Sequence, residues 1–365
     1  MMEYKVYKWS DVLTIINGRN QNAVECEDGE YPIYGSGGVM GKANDYLCPP
    51  NCTIIGRKGN INKPIYVETK FWNVDTAFGL SANEEILNPR YVYYFCVDYN
   101  FERHNKAVTI PSLTKADLLK IEMCLPPLDK QKSIVGELDK INELIRIKKE
   151  QLSDYDNLAQ SIFNKMFGDP VENEKGWEVK KLGEVCLIER GGSPRPIKDY
   201  ITEDEDGLNW IKIGDAQEGS IFINSTKEKI RKEGLKKTRM VHKGDFILSN
   251  SMSFGRPYIM GVDGCIHDGW LVLHDTNNTF NKLYLYYSFA HKSMYQQFKQ
   301  MAVGGVVNNL NSEMVRRVLV LVPPLTVQQE FANRIELIEM QKKQIISTIQ
   351  DLETLLASRM QYWFD

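Results

Sequence analysis

The stretch Gly35-Ser36-Gly37-Gly38-Val39-Met40-Gly41-Lys42 comes nearest in this chain to a phosphate-binding loop, and it falls short. That loop needs a glycine where Ser36 stands and a magnesium-binding hydroxyl where Ala43 stands. A glycine-rich turn between two strands is the better reading. Glu68-Thr69-Lys70 matches half of a nuclease Glu-x-Lys pattern, but three residues at a strand end are ordinary solvated surface. His267-Asp268 could be an acid–base pair. Asp75, beside Val74, holds the corresponding place earlier in the chain, so the aspartate reads as structural and the histidine as incidental. None of the five histidines has a metal-ligand partner at helical spacing. Cys48 and Cys52 flank Pro49-Pro50-Asn51, and no second pair completes a zinc site. No Asn-Pro-Pro-Tyr-like tetrad for amino-group methylation occurs. The residues point to a chain that performs no chemistry itself, with no catalytic group, metal or cofactor of its own.

The 365 residues allow two domains of ordinary size plus further elements. The hydrophobic fraction is 42% and the charged fraction 25%, as in a globular protein. No apolar run approaches the roughly 20 residues that span a bilayer, and the N-terminus lacks the pattern of a signal peptide. Seven cysteines without framework spacing read as reduced thiols, and the expected location is cytoplasmic. A net charge of −3 argues against a protein that coats nucleic acid unspecifically. Residues 1–125 carry 13 basic and 15 acidic side chains, and residues 170–322 carry 21 and 19. Any contact with an anionic polymer must therefore be local or shared with a partner.

The elements that would position such contacts are written twice. Pro126-Pro127-Leu128-Asp129-Lys130-Gln131 returns as Pro323-Pro324-Leu325-Thr326-Val327-Gln328, 197 positions later. At the same offset and without a gap, Ile141 falls on Ile338, Asp154 on Asp351, Leu158 on Leu355, Ser161 on Ser358 and Phe167 on Phe364. Upstream, Val6 to Gly18 match Val179 to Gly191 at an offset of 173. Ile54, Pro64, Asp75 and Tyr93-Tyr94 match Ile247, Pro257, Asp268 and Tyr286-Tyr287 at 193. Repeats of this length are structural units used twice. The expected order is a globule over 1–125, a long helix over 126–169, a second globule over 170–322 and a second long helix over 323–365.

Heptad spacing marks both helices. In the first, Ile134, Leu138, Ile141, Ile145, Leu152, Tyr155, Ala159, Ile162 and Met166 form a stripe broken only by Lys148. In the second, Phe331, Ile335, Ile338, Ile345, Ile349, Leu352, Leu356 and Trp363 do so, with Lys342 and Arg359 as breaks. Each helix of about 40 residues would be on the order of 60 Å long. Such stripes exceed what a small globule covers, so the helices should pair with each other, with Leu138, Ile141, Ile145, Leu152, Ile335, Ile338, Ile345 and Leu352 as the interface. The short Gly168–Trp177 connection favours an antiparallel coiled coil and an approximate twofold relation. The globules read as mixed strand and helix, with buried strands at Cys52–Ile55 and Asp245–Leu248 and tyrosine-rich helices at Tyr91–Val97 and Tyr284–Ala290. Loops at Ala107–Leu113 and Ala302–Leu310 lead into the strand before each Pro-Pro. The fold class is α+β.

The doubled Pro-Pro-Leu-x-x-Gln helix, each copy preceded by a divergent globule, resembles the specificity subunit of type I restriction–modification enzymes over the whole chain. The second copy continues Gln329-Glu330 where the first has Lys132-Ser133. The resemblance implies that each globule is a target-recognition domain reading one half of a split double-stranded DNA sequence. The helices would be the conserved regions, a ruler for the spacer and the docking sites for two modification (methyltransferase) subunits. Those partners would bind S-adenosylmethionine and methylate adenine, and a restriction/translocase subunit would join for cleavage. A coiled-coil adaptor that joins proteins without DNA specificity is the rival reading.

Recognition domains vary by design, so contact residues are ranked by chemistry. In the first globule Arg57, Lys58, Asn60, Asn62 and Lys63 follow a strand and combine cations with amides. Ser249, Asn250, Ser251 and Arg256 hold the same place in the second. Ser36 and Lys42 in the first globule, and Ser193, Arg195, Lys198 and Lys212 in the second, are secondary candidates. Ser193-Pro194-Arg195-Pro196 reads equally well as a stiff surface turn. Trp210 and Trp270 read as core.

Overall fold

The computed structural model describes residues 4–105, 110–217, 219–251, 254–302 and 309–364. Much of the two expected loops before the Pro-Pro motifs, residues 106–109 and 303–308, lies outside the described residues. The chain divides into two compact units. One holds residues 1–150 and 345–365, the other residues 151–344. Each unit thus combines one globule, the first half of the helix that follows it and the last half of the other long helix.

In the first unit a four-stranded antiparallel sheet is ordered Leu13–Asn17, Ala77–Ala82, Cys52–Gly56, Ile65–Val67. A three-stranded sheet of Gly38–Ala43, Tyr31–Gly35 and Trp72–Asn73 stands beside it. Lys5–Lys8 pairs with Glu122–Leu125, which closes the globule just before the helix. The second unit repeats the four strands in the same order, as Cys186–Arg190, Trp270–Asp275, Phe246–Ser249 and Pro257–Met260, and adds Phe222–Ile223 at the edge. Its second sheet has grown to five strands, and Val179–Lys181 pairs with Leu319–Leu321. The offsets of 173 and 193 read from the sequence are these strand equivalences.

The long helices run Leu128–Phe167 and Leu325–Phe364. The glutamine of each repeated motif explains why the motif is kept. Gln131 and Gln328 are fully buried. The Gln131 carboxamide accepts from the backbone N–H of Asn88 at 2.8 Å and donates to the carbonyls of Ile86 and Pro126, both at 2.9 Å. Gln328 accepts from Asn281 at 2.8 Å and donates to Thr279 and Pro323 at 3.1 and 2.9 Å. Asn88 and Asn281 in turn cap the tyrosine-rich helices Pro89–Asp98 and Lys282–Ala290 through their own carboxamide oxygens. One side chain therefore fixes the start of the long helix to the start of the helix beside it.

The heptad stripe holds through Ile134, Leu138, Ile141 and Ile145, and through Phe331, Ile335, Ile338, Ile345 and Ile349, all buried. Leu152 and Leu352 are half-buried. Within each unit the helix segments pair antiparallel. In the first unit Glu137 pairs with Arg359 and Lys149 with Glu353 at 2.9 Å, and in the second Lys342 pairs with Asp156 at 2.7 Å. Two of the three expected breaks in the stripe, Lys342 and Arg359, are thus ion pairs between helices. At the end of the first helix the expected seam residues Ile162 and Met166 are only partly buried, and Phe163 and Phe167 take the core instead. The reason is a change of neighbour, since this turn packs on a globule rather than on a helix alone. Phe167 meets Tyr284 at 4.6 Å, and its repeat equivalent Phe364 meets Tyr91 at 5.0 Å.

Candidate nucleic-acid interface

In the first globule the Gly35–Lys42 stretch is the expected turn, joining Tyr31–Gly35 to Gly38–Ala43. Its tip approaches the loop that follows Cys52–Gly56: a side-chain carbon added at Gly37 would lie 3.7 Å from the Asn60 amide. Gly56 must be glycine, because a Cβ there would stand 2.3 Å from the Asn60 carbonyl oxygen. The loop is stitched down on both sides. The N–H groups of Arg57 and Lys58 donate to Thr76, Gly59 donates to Pro111, and Ile61 is buried beneath. Arg57 is half-buried, with its guanidinium 5.8 Å above the Phe78 ring and 3.5 Å from the Asp75 carbonyl. Lys58, Asn60 and Lys63 are exposed, as is Lys42 on the hairpin, while Ser36 is half-exposed. Asn62 is engaged within the globule: it accepts from the Phe101 N–H at 2.8 Å and lies 3.4 Å from Asn100.

In the second globule the corresponding loop differs from the expectation. Ser249 and Asn250 are buried at 1% and 2% exposure, which removes both from the candidate surface. Ser249 accepts the Arg256 N–H on its hydroxyl at 2.9 Å. The Asn250 amide donates to the Asp268 carbonyl at 3.1 Å. Polar side chains were expected outside here, but this strand end is covered, so they satisfy backbone groups instead. Ser251 and Arg256 are half-exposed.

The secondary candidates gather in one place. Ser193, Arg195 and Lys212 line a cleft of about 640 Å³ together with Pro194, Trp210, His267 and Asp268. Lys198 is exposed in the short helical turn next to it. The Ser193 hydroxyl donates to Asp268 at 2.7 Å, and this bond holds the Asp268 carboxyl below its usual range. Arg195 lies 3.6 Å from the other oxygen of the same carboxylate. Lys212 is turned onto Glu228. Trp210 is buried, as expected of core, yet it forms the cleft wall. The sequence reads His267 as incidental and Asp268 as structural, and the structure brings both into the cleft. The chemical signal that could have found them is their repeat position beside a loop rich in Gly, Ser, Pro and Arg.

His267 is not arranged for proton transfer. Burial lowers its affinity for a proton. The N–H groups of Ile213 and Gly269 face its two ring nitrogens at 3.1 and 2.6 Å, and the nearest Asp268 oxygen is 3.8 Å away. Cys48 and Cys52 are buried thiols, and burial pushes Cys52 up to about 11. Among the described residues no group of three His, Cys, Asp or Glu side chains could hold a metal ion.

The duplication is also what comparison with known proteins finds. The family described as the type I restriction modification DNA specificity domain matches residues 1–154 and again residues 174–353. The chain belongs to this family. Its members supply the specificity subunit, the non-catalytic part of type I restriction–modification systems, and the two globules here are its two target-recognition domains. A Haemophilus influenzae protein named as a type I restriction enzyme specificity subunit is 24% identical over 323 residues, covering 85% of this chain and 80% of that one. The MjaVIII specificity subunit of Methanocaldococcus jannaschii is 22% identical, covering 94% and 88%. The crystal structure of the type I S subunit from M. genitalium shares the fold with a TM-score of 0.62 at 14% identity, over 99% of this chain and 96% of that one. A chain from a structural study of type I complex assembly and conformational transition matches with a TM-score of 0.63 at 16% identity, covering 99% and 97%.

Proposed function

We propose that this specificity subunit reads a split, asymmetric target in double-stranded DNA, one globule per half-site, and carries the methyltransferase subunits to it. The carrying observation is the contrast between frame and loops. The order of the four shared strands, the buried glutamine and the 40-residue length of the long helices repeat, while the polar loops at equivalent places differ in residue type and burial. A common frame with unlike loops suits a ligand whose two halves are alike in backbone and different in sequence. The surface Lys58, Asn60 and Lys63 in one globule, and the Arg195 cleft in the other, offer donors for base edges and phosphates.

The eight apolar residues of the helix interface are buried or half-buried within the units, so partners would use other positions. Leu158 and Leu355 are equivalent across the repeat and exposed to the same degree, 47% and 46%. Two matching apolar spots suit two copies of one methyltransferase subunit, which would bring S-adenosylmethionine and methylate adenine. A restriction/translocase subunit would join for cleavage. Among the described residues no helix is long and apolar enough to cross a membrane, and a cytoplasmic site of action fits a DNA target.

The test is to express the chain with its methyltransferase partner and sequence the host DNA for methylated adenines. A two-part motif is expected, and replacing residues 175–320 with a related domain should change one half only. A change in both halves, or methyl transfer from S-adenosylmethionine by the isolated chain, would overturn the reading.

A further inference from the structure

We propose that Arg195 reads a guanine in the half-site of the second globule, and that Asp268 is the positioning residue that aims it. The inference rests on the proposed DNA-reading function and adds the base and the residues. Arg195 is 80% exposed on its side chain, yet its place is set from three directions. Its backbone sits between Pro194, which is buried, and Pro196, and a residue before proline is confined to extended conformations. Its guanidinium meets Asp268 Oδ2 at 3.6 Å.

Asp268 is itself fixed. Its Oδ1 accepts the Ser193 hydroxyl at 2.7 Å. Its backbone carbonyl accepts from Arg190 at 2.9 Å and from the buried Asn250 amide at 3.1 Å. An ion pair so exposed contributes little to folding, so three further side chains converging on Asp268 call for another explanation. A carboxylate 3.6 Å from one side of the guanidinium draws that side inward by charge and leaves the remaining N–H groups of the planar fork toward solvent.

An arginine fork has donors only. In the major groove, guanine alone offers two acceptors, O6 and N7, on one edge, whereas adenine places a donor beside its acceptor. Lys212, the other cation of the cleft, is occupied by Glu228 and is the poorer reader.

The experiment uses the complex of this chain with its methyltransferase partner, and duplexes in which the half-site of the second globule is randomised. The wild-type complex should select a guanine at one position. Arg195→Ala should lose that preference by about 5- to 150-fold, and Arg195→Lys, which lacks the planar fork, should lose part of it, while every other position keeps its own. Replacing that guanine with 7-deazaguanine, which lacks the N7 acceptor, should weaken the wild type and leave Arg195→Ala unaffected. Asp268→Asn should weaken the preference at the same position while binding to unrelated DNA and the preferences at every other position are kept, a pattern that a purely structural role would not produce. Equal loss on all sequences, or an unchanged preference in both Arg195 variants, would overturn the inference. If the wild-type complex selects no half-site, the DNA-reading function itself fails, which is a different result.

Discussion

Replacing Gln131 by methionine should destabilise the first unit by about 3 kcal/mol, taking roughly 1 kcal/mol for each of its three hydrogen bonds. The substitution keeps length and volume, so little of the loss comes from packing. What remains is a buried N–H at Asn88 and two carbonyls, Ile86 and Pro126, without the carboxamide that served them. Gln328→Met should cost the second unit a similar amount, because its three bonds have nearly the same lengths. Urea unfolding followed by tryptophan fluorescence reads both, with Trp9, Trp72 and Trp363 in one unit and Trp177, Trp210 and Trp270 in the other. With a slope of about 2 kcal/mol per molar urea, each midpoint should fall by about 1.5 M.

Gln131→Glu sharpens the test. An ionised carboxylate could still accept from Asn88, but it would face two carbonyl oxygens with no proton to give. The folded state would therefore hold its proton more tightly than the unfolded chain, and the variant should regain stability as pH falls toward the raised value. A methionine variant whose midpoint moves by less than about 0.2 M, or a glutamate variant that loses further stability on mild acidification relative to wild type, would refute the clamp.

Phe167→Ala should cost about 3–5 kcal/mol as a full core truncation, and Phe364→Ala less, because Phe167 is fully buried and its repeat equivalent only partly so; equal thermal shifts would contradict this. Glu137→Gln should lower the melting temperature at neutral pH and lose that effect in acid. The Arg359 bond depresses the Glu137 carboxyl, so its stabilising share is present above the usual carboxylate range and disappears as pH falls through the depressed value; a difference that persists at pH 2 would argue against it. Arg57→Ala should weaken binding to the cognate half-site by about 1–3 kcal/mol with binding to unrelated DNA unchanged, measured by titration at two salt concentrations. Uniform weakening with a flatter salt dependence would reassign Arg57 to a phosphate.

The frame was legible in the sequence because its constraints act over short, regular spacings. Heptad stripes, Pro-Pro starts and a constant offset of 197 all survive in one dimension. Even there the reading stopped where a helix changed neighbours. Phe163 and Phe167, outside the expected seam, take the core in place of Ile162 and Met166, and the charged breaks Lys342 and Arg359 are filled by Asp156 and Glu137 from distant chain segments. The motif glutamine was legible as a landmark and not as a clamp, since its partners at 86–88 and 279–281 lie more than 40 residues away.

The site was less legible for a related physical reason. Residue type separates surface from core only on average, and a covered loop inverts the rule. Ser249 and Asn250 look like surface donors, yet burial turns them to the backbone, where Asn250 grips Asp268. Trp210, His267 and Asp268 look like core or incidental residues, and two separate segments bring them to the wall that holds Arg195. The same position in the first globule, Asp75, offers Arg57 a carbonyl instead of a carboxylate. The two cations come from different loops, since Arg57 corresponds to Asn250 and Arg195 lies in the turn after Cys186–Arg190, and that is the kind of change a duplicated reader needs. The frame keeps a cation beside the loop in both units, while the group that aims it is free to differ, so the two halves of a target can diverge without disturbing the buried glutamines that hold each globule to its helix.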